Sequence, residues 1–299
     1  MAASPDARST WFKGWGLPAL LLAPQLLIVL IFFYWPSVRA VFGSFFLEDA
    51  FGQSAEFVGL ENFERLFADS DYADSFGITI VFSVLVTSIG LSVSLVLAWF
   101  ADRAIKASYA FRTMLIIPYA VSAAVAAVLW SFLFAPSVGV VAHWLIKQGL
   151  AWNYLVNANH AMALIVMTAV WKQISYNFIF FLAGLQAIPR SMFEASAIDG
   201  AGPFKTFFYV TLPLLSPTAF FLLVVNVVYA FFDTFGIIDA STGGGPGTST
   251  SILVYKVYHD GFKSLDLGSS SAQSVILMIL VVLLTVVQFR FIERRVHYG

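Results

Sequence analysis

Two ionisable side chains stand inside otherwise uncharged apolar runs of this 299-residue chain. Lys172 lies in AMALIVMTAVWKQISYNFIFFLAG, with Gln173 and Asn177 beside it and Tyr176 one helical turn on. Asp233 ends a stripe of Asn226, Tyr229, Ala230 and Asp233 at i, i+3, i+4 and i+7, a spacing that one helix face would carry. A charge in apolar surroundings is costly unless it binds or pairs. A cation flanked by hydroxyl and amide groups suits an anionic ligand that also carries hydroxyls. The alternative is a Lys172–Asp233 pair, or polar contacts that merely hold helices together. Other chemistries lack their groups. There is no Cys, and His143, His160, His259 and His297 have no metal-ligand spacing. The apolar runs hold no nucleophile with a base and no carboxylate cluster, which speaks against an enzyme working at membrane depth. No cofactor is expected.

The run STGGGPGTSTS at 241–251 places glycines among hydroxyls, as phosphate-cradling loops do. It lacks the lysine of a P-loop and follows no strand, so a flexible turn is the expectation. Any ATP hydrolysis would then belong to a partner.

The elements that must carry Lys172 and Asn226 are membrane helices. The chain is 60% hydrophobic and 11% charged, against about 25% charged in soluble domains, and its mean hydropathy is +0.85. Six runs reach the ~20 residues that cross a bilayer as helix: 15–38, 76–101, 113–134, 161–186, 213–238 and 272–290. The first is too long for a signal-peptide core and has no small-x-small cleavage site, so it reads as an uncleaved span. Residues 135–160 are broken by Pro136, Gly139, Gly149, Asn153, Asn157 and Asn159 and suit an interfacial connection. Pro118, Pro213 and Pro217 are expected to kink helices. Trp11, Trp15, Trp35 and Trp152 are expected to anchor at interfaces, and FVGLENFERLF at 57–67 reads as an interfacial helix. The expected fold is an all-α integral membrane protein, one domain over residues 1–299 with six transmembrane helices.

Charge sets the orientation. With the N-terminus inside, inner segments hold Arg8, Lys13, Arg103, Lys106, Arg112, Arg190, Lys205, Arg290, Arg294 and Arg295, against Arg39, Arg65, Lys147, Lys256 and Lys263 outside. The loop 43–75 carries eight acidic residues and one Arg, which fits an outer loop. Both termini are therefore expected in the cytosol. A net charge of −1 without a basic cluster argues against nucleic acid as a partner.

That orientation puts PRSMFEASAIDGAGPFKTFFYVTLP, residues 189–213, on the cytosolic side. Ser191 and Glu194 have capping-box spacing, predicting a helix from near Met192, and Gly200, Gly202 and Pro203 end it. Small residues on that helix would let another protein approach its backbone closely. The spacing EAS-x3-G-x9-V-x-LP resembles the EAA loop of ABC importer permeases, EAA-x3-G-x9-I-x-LP, with Ser196 for the second Ala and Val210 for Ile. The resemblance implies a type I ABC importer permease fold. It also implies that residues 189–212 form a coupling loop whose Glu194, Ala195, Ser196, Asp199 and Gly200 meet an ATPase subunit.

FVGLENF (57–63), LPLLSP (212–217) and STGGGP (241–246) resemble carbohydrate-uptake permeases of the same family. WKQISYNF, IPRSMFEASAIDGAGP, NVVYAFFDTFGIID and AQSVILMILVVLLTVVQFR are similar to permeases of its sn-glycerol-3-phosphate branch. The resemblance implies a second homologous permease, two ATPase subunits, an extracytoplasmic substrate-binding protein and alternating access in the inner membrane. It implies sn-glycerol-3-phosphate, or glycerophosphodiesters, as cargo, with another sugar or polyol as the alternative. Lys172, Gln173, Tyr176, Asn177, Asn226, Tyr229 and Asp233 are then the candidate substrate-pathway residues. A self-sufficient secondary transporter would need more spans or an inverted repeat, and neither it nor an enzyme explains the 189–213 loop.

Overall fold

A computed structural model describes residues 16–48, 54–103 and 108–292. Arg8, Trp11, Lys13, Trp15, Lys106, Arg294, Arg295 and His297, named above, lie outside the described residues, as do Asp49 of the acidic loop and the side chain of Arg112. The chain is mostly helical. Among the described residues five helices are long and apolar enough to cross a membrane: α1 Gly16–Gly43, α3 Ser70–Arg103, α7 Ala158–Ala187, α10 Ser216–Asp233 and α13 Leu267–Arg290. A sixth crossing is available if the bent pair made by α4 (Ser108–Ala120) and α5 (Ala123–Leu133) forms one span.

That bent pair departs from the kink expected at Pro118. Helix continues two residues beyond the proline and then breaks at Val121–Ser122, turning through 109°. Ser122 starts α5 by accepting the Val125 N–H at 3.4 Å, so the second half begins as a properly capped helix. The break is a change of helix, and a proline alone does not do that.

The expectation of an all-helical chain needs one correction. Phe46–Glu48 (β1) and Ala55–Phe57 (β2) pair antiparallel, Phe46 opposite Phe57. The helix read at 57–67 therefore begins later, as α2 Glu61–Ala68, after a turn at Gly59 with φ 61°. Asn62, on its inner face, donates to Ser44 O at 3.0 Å and Phe46 O at 2.9 Å and ties helix to hairpin. Trp152 also differs from expectation. It is buried, donates to Phe134 O at 3.0 Å and stacks on His160, so its ring packs the 135–160 connection instead of anchoring at an interface. That connection includes a short helix, α6 Val140–Lys147.

Helix α7 lies at the centre of the bundle. It packs along α3, whose buried face carries Ser75, Thr79, Ser83, Thr87, Gly90, Ser94, Ala98 and Ala101. These small side chains let two helices approach closely, which matters because lipid tails compete with apolar contacts and leave packing and hydrogen bonds to hold helices together. Ser94 adds such a bond to Ile174 O at 3.3 Å. Helix α1 is the opposite case: up to Phe42 none of its residues is buried.

Candidate functional site

The loop after α7 folds as a short helix, α8 Arg190–Ile198. Its N-cap is Pro189, not Ser191, and the capping box read from Ser191 and Glu194 does not form. A fixed proline φ (here −59°) starts the helix directly. The other end follows the sequence expectation. Gly200 has φ 72°, Ala201 N–H donates to Ser196 O at 2.9 Å, and Gly200 N–H donates to Ala197 O at 3.1 Å. This is a Schellman stop, a left-handed position suited to glycine.

Glu194, Ala195, Asp199 and Gly200 are exposed on α8. Ser196 is not: it is buried, its Oγ donates to Phe193 O at 2.8 Å and lies 3.3 Å from Thr206 Oγ1. The departure from alanine thus fastens α8 to α9, Pro203–Thr206. A π turn, Phe207–Thr211, then leads towards α10. Phe207 meets Trp99 edge-on at 5.6 Å, and Arg103 stacks on Trp99 at 4.1 Å. The loop therefore lies at the Arg103 end of α3. The acidic Asp69 lies at the other end, across a 34-residue helix of roughly 51 Å at 1.5 Å per residue.

Midway along α7 the two polar faces meet. Asn177 and Asn226 donate to each other, at 3.0 and 2.7 Å, and Asn226 also donates to Leu222 O. Both are fully enclosed, and Gly90 on α3 backs them. Tyr229 is buried and donates to Ala169 O at 3.3 Å; Gln173 is buried too. Asp233 breaks the stripe. Tyr229–Asp233 forms a π turn whose wider winding carries Asp233 off the shared face and leaves it exposed.

Lys172 lies on the other side of α7, half-buried. Among the described residues no carboxylate lies within 4.0 Å of it, so the Lys172–Asp233 ion pair is not made. Its Nζ lies 5.9 Å from the centre of the Tyr119 ring, on the last turn of α4 before the break. Tyr119 stacks on Tyr176 at 6.2 Å, Tyr176 meets Phe180 at 4.7 Å, and Phe180 meets Phe221 at 5.2 Å. One cation and two phenols thus share a partly open face, and the ring ladder continues along α7 to α10.

Residues 105–298 match the family described as the inner membrane component of binding-protein-dependent transport systems. The chain belongs to this family. It is a multi-pass inner-membrane protein and an ABC importer permease. It is 59% identical over 282 residues to the sn-glycerol-3-phosphate transport system permease protein UgpA of Yersinia pseudotuberculosis, covering 94% of this chain and 96% of that one. The protein of that name from Pectobacterium atrosepticum is 56% identical over 297 residues, covering 99% of each. That from Agrobacterium fabrum is 55% identical over 283 residues, covering 95% and 97%. The fold matches a chain of a bacterial alginate ABC transporter solved with a periplasmic protein bound to alginate pentasaccharide, with TM-score 0.81 and 23% identity over 95% and 96% of the chains. A second alginate importer structure gives TM-score 0.78 and 24% identity, over 93% and 96%. At such identities these two structures bear on fold alone.

Sequence reading missed two groups in this permease. Tyr119, within the run 113–134, was not singled out, yet its ring faces Lys172 and stacks on Tyr176. At the Asp69 end, Lys256 on α12 (Leu253–Tyr258) is bonded to Asp260 at 3.0 Å and to Asp69 at 3.3 Å, while Gln273 donates to Asp260 at 2.7 Å. Burial alone would lower the pKa of Lys256. The hydrogen bond and charge of Asp260, then those of Asp69, outweigh it and hold the ammonium above its ordinary range. The glycine run beside this clasp is stitched, not flexible: Tyr255 OH donates to Gly243 O at 2.9 Å and Thr250 Oγ1 to Gly245 O at 2.8 Å.

Proposed function

We propose that this chain is one of two permeases of an importer for sn-glycerol-3-phosphate, with six spans and both termini in the cytosol. A homologous second permease completes the pathway, two ATPase subunits sit on the cytosolic face, and a substrate-binding protein delivers cargo outside. The observation that carries this reading is identity above one half, over almost the full length, to permeases named for that substrate. The geometry adds chemistry. A half-buried ammonium without a carboxylate, beside two phenol rings, suits a phosphate with a hydroxylated tail. Lys172, Tyr176 and Tyr119 form this chain's wall of the pathway. The enclosed Asn177–Asn226 pair, Gln173 and Tyr229 fix the helices behind it.

Helix α8 is the coupling helix, and Glu194, Ala195, Asp199 and Gly200 are the face presented to the ATPase. Ser196 and Thr206 tie that helix to the start of the fifth span, so displacement of α8 moves α10 and the wall it shares with α7. Alternating access is then driven from the cytosol and felt at Lys172. Gly200→Pro removes the φ of 72° that ends α8 and is expected to uncouple ATP hydrolysis from uptake, read as futile ATPase activity or loss of the ATPase subunits. The identity of the cargo is tested by uptake of labelled sn-glycerol-3-phosphate into proteoliposomes holding the complete transporter. Unlabelled sn-glycerol-3-phosphate should compete and maltose should not; competition by maltose alone overturns the assignment.

A further inference from the structure

At the Arg103 end of α3 a groove of about 280 Å³ is lined by Val96, Trp99, Phe100, Phe204, Phe207 and Phe208, and by no polar side chain. Edge-on rings shape it: Trp99 meets Phe207 at 5.6 Å and Phe100 at 5.1 Å, and Phe207 meets Phe208 at 5.2 Å. Its rim is open, with Phe100, Phe204 and Phe208 each more than half exposed. One guanidinium lies beside it, on the Trp99 ring. Arg103 Cζ lies 4.1 Å from the Trp99 ring centre, and no carboxylate pairs with Arg103 among the described residues. Lys205, next to Phe204, is exposed as well.

We infer that this groove seats an acyl chain of an anionic phospholipid whose headgroup meets Arg103. The order of chemistry along the site is that of a phospholipid at a bilayer face: apolar rings where α3 is still in hydrocarbon, then a cation at its last turn. The inference rests on the proposed orientation, which puts this end in the anionic cytosolic leaflet. An extended peptide is a poor occupant, because its backbone N–H and C=O groups would find no partner in the lining. A helix of the second permease satisfies its own backbone and is the rival occupant. The site touches the coupling machinery directly. Phe207 opens the π turn after Thr206, whose hydroxyl holds Ser196 of α8, so a seated lipid braces the link between the coupling helix and the fifth span.

The test uses the complete transporter in nanodiscs carrying photoactivatable phosphatidylglycerol or phosphatidylcholine, with labelled peptides mapped by mass spectrometry. Labelling is expected within residues 96–103 and 204–208, with phosphatidylglycerol favoured about fivefold, the effect of one cation at an anionic surface. Arg103→Gln should bring that ratio close to one and Arg103→Lys should keep it; Phe204→Ala should lower labelling by both lipids. Equal labelling by the two lipids in the unmodified protein, or an unlabelled groove cross-linked to the second permease, overturns the inference. Uptake of sn-glycerol-3-phosphate is read separately in proteoliposomes. Normal uptake without the lipid label sinks the lipid site alone, and the lipid label without uptake sinks the proposed cargo alone.

Discussion

The Lys256 ammonium lies 3.0 Å from Asp260 and 3.3 Å from Asp69, whereas that of Lys172 faces the Tyr119 ring at 5.9 Å with no carboxylate within 4.0 Å among the described residues. Both lysines are drawn partly into the protein, and neither is a surface charge. At Lys256 the chain supplies the counter-charge itself, from the two sides of a clasp that joins the start of α3 to α12 and α13. At Lys172 it supplies rings and hydroxyls and leaves the counter-charge out. Breaking a completed pair leaves a costly unpaired charge, whereas an ammonium without one in an apolar setting is what the proposed anionic cargo would satisfy. Lys172→Met should sharpen that contrast most. Loss of a charged hydrogen bond to phosphate should cut uptake by about 10- to 100-fold, while the complex still assembles and melts at the unmodified temperature. Unchanged uptake would end the case for Lys172, and a large drop in melting temperature would make it another Lys256.

The same contrast runs within α7, where enclosed Asn177 lies five positions beyond half-open Lys172. Asn226→Leu leaves the Asn177 amide buried and unpaired and should destabilise the protein by about 1–3 kcal/mol. Asn177→Leu with Asn226→Leu should recover part of that loss, with a coupling of about 0.6–1.7 kcal/mol as for hydrogen bonds between membrane helices. Thermal melting in detergent reads both. Uptake per folded complex should hardly change, and a selective loss of uptake would instead put the pair in contact with cargo.

How much of this was legible follows from the range of each signal. Apolar runs located the five long apolar helices among the described residues, because the length of a bilayer helix is a local property. Gly200 announced the end of α8, because a left-handed stop is local too. Helix period put Asn226 and Tyr229 on one face, but it could not pair Asn226 with Asn177. It also misplaced Asp233, since one π turn shifts the period and nothing in YAFFD marks it. Tyr119 depended on a break that falls after Pro118 instead of at it, and the hairpin at Phe46–Phe57 is too short to show alternation. The Lys256 clasp was invisible for a different reason: Asp69 and Lys256 are far apart in sequence, and the charge count treated both as loop residues.

Lys256→Met then probes the closed side of the comparison. It leaves Asp260 and Asp69 without their cation, but Asp69 is partly exposed and can rehydrate. The expected cost is about 1–2 kcal/mol, below the ~3–5 kcal/mol of breaking a fully buried pair. Uptake should fall with the amount of folded complex and no further.

The smallest effect tests the clasp through its pH dependence. The folded-state pKa of Lys256 is held above its ordinary value, which is about 10.4 in an unfolded chain. A raised lysine contributes stability that is fully present below the unfolded pKa and is lost as pH rises through the folded one. The gap in melting temperature between the unmodified protein and Lys256→Met should therefore stay constant from about pH 7 to about pH 10 and narrow only beyond that. The gap reports on the clasp, because titrating residues away from it are common to both proteins and cancel in the difference. If it instead widened in the lysine protein's favour between about pH 7 and 10, the ammonium would be titrating below its ordinary range. Burial would then outweigh Asp260 and Asp69.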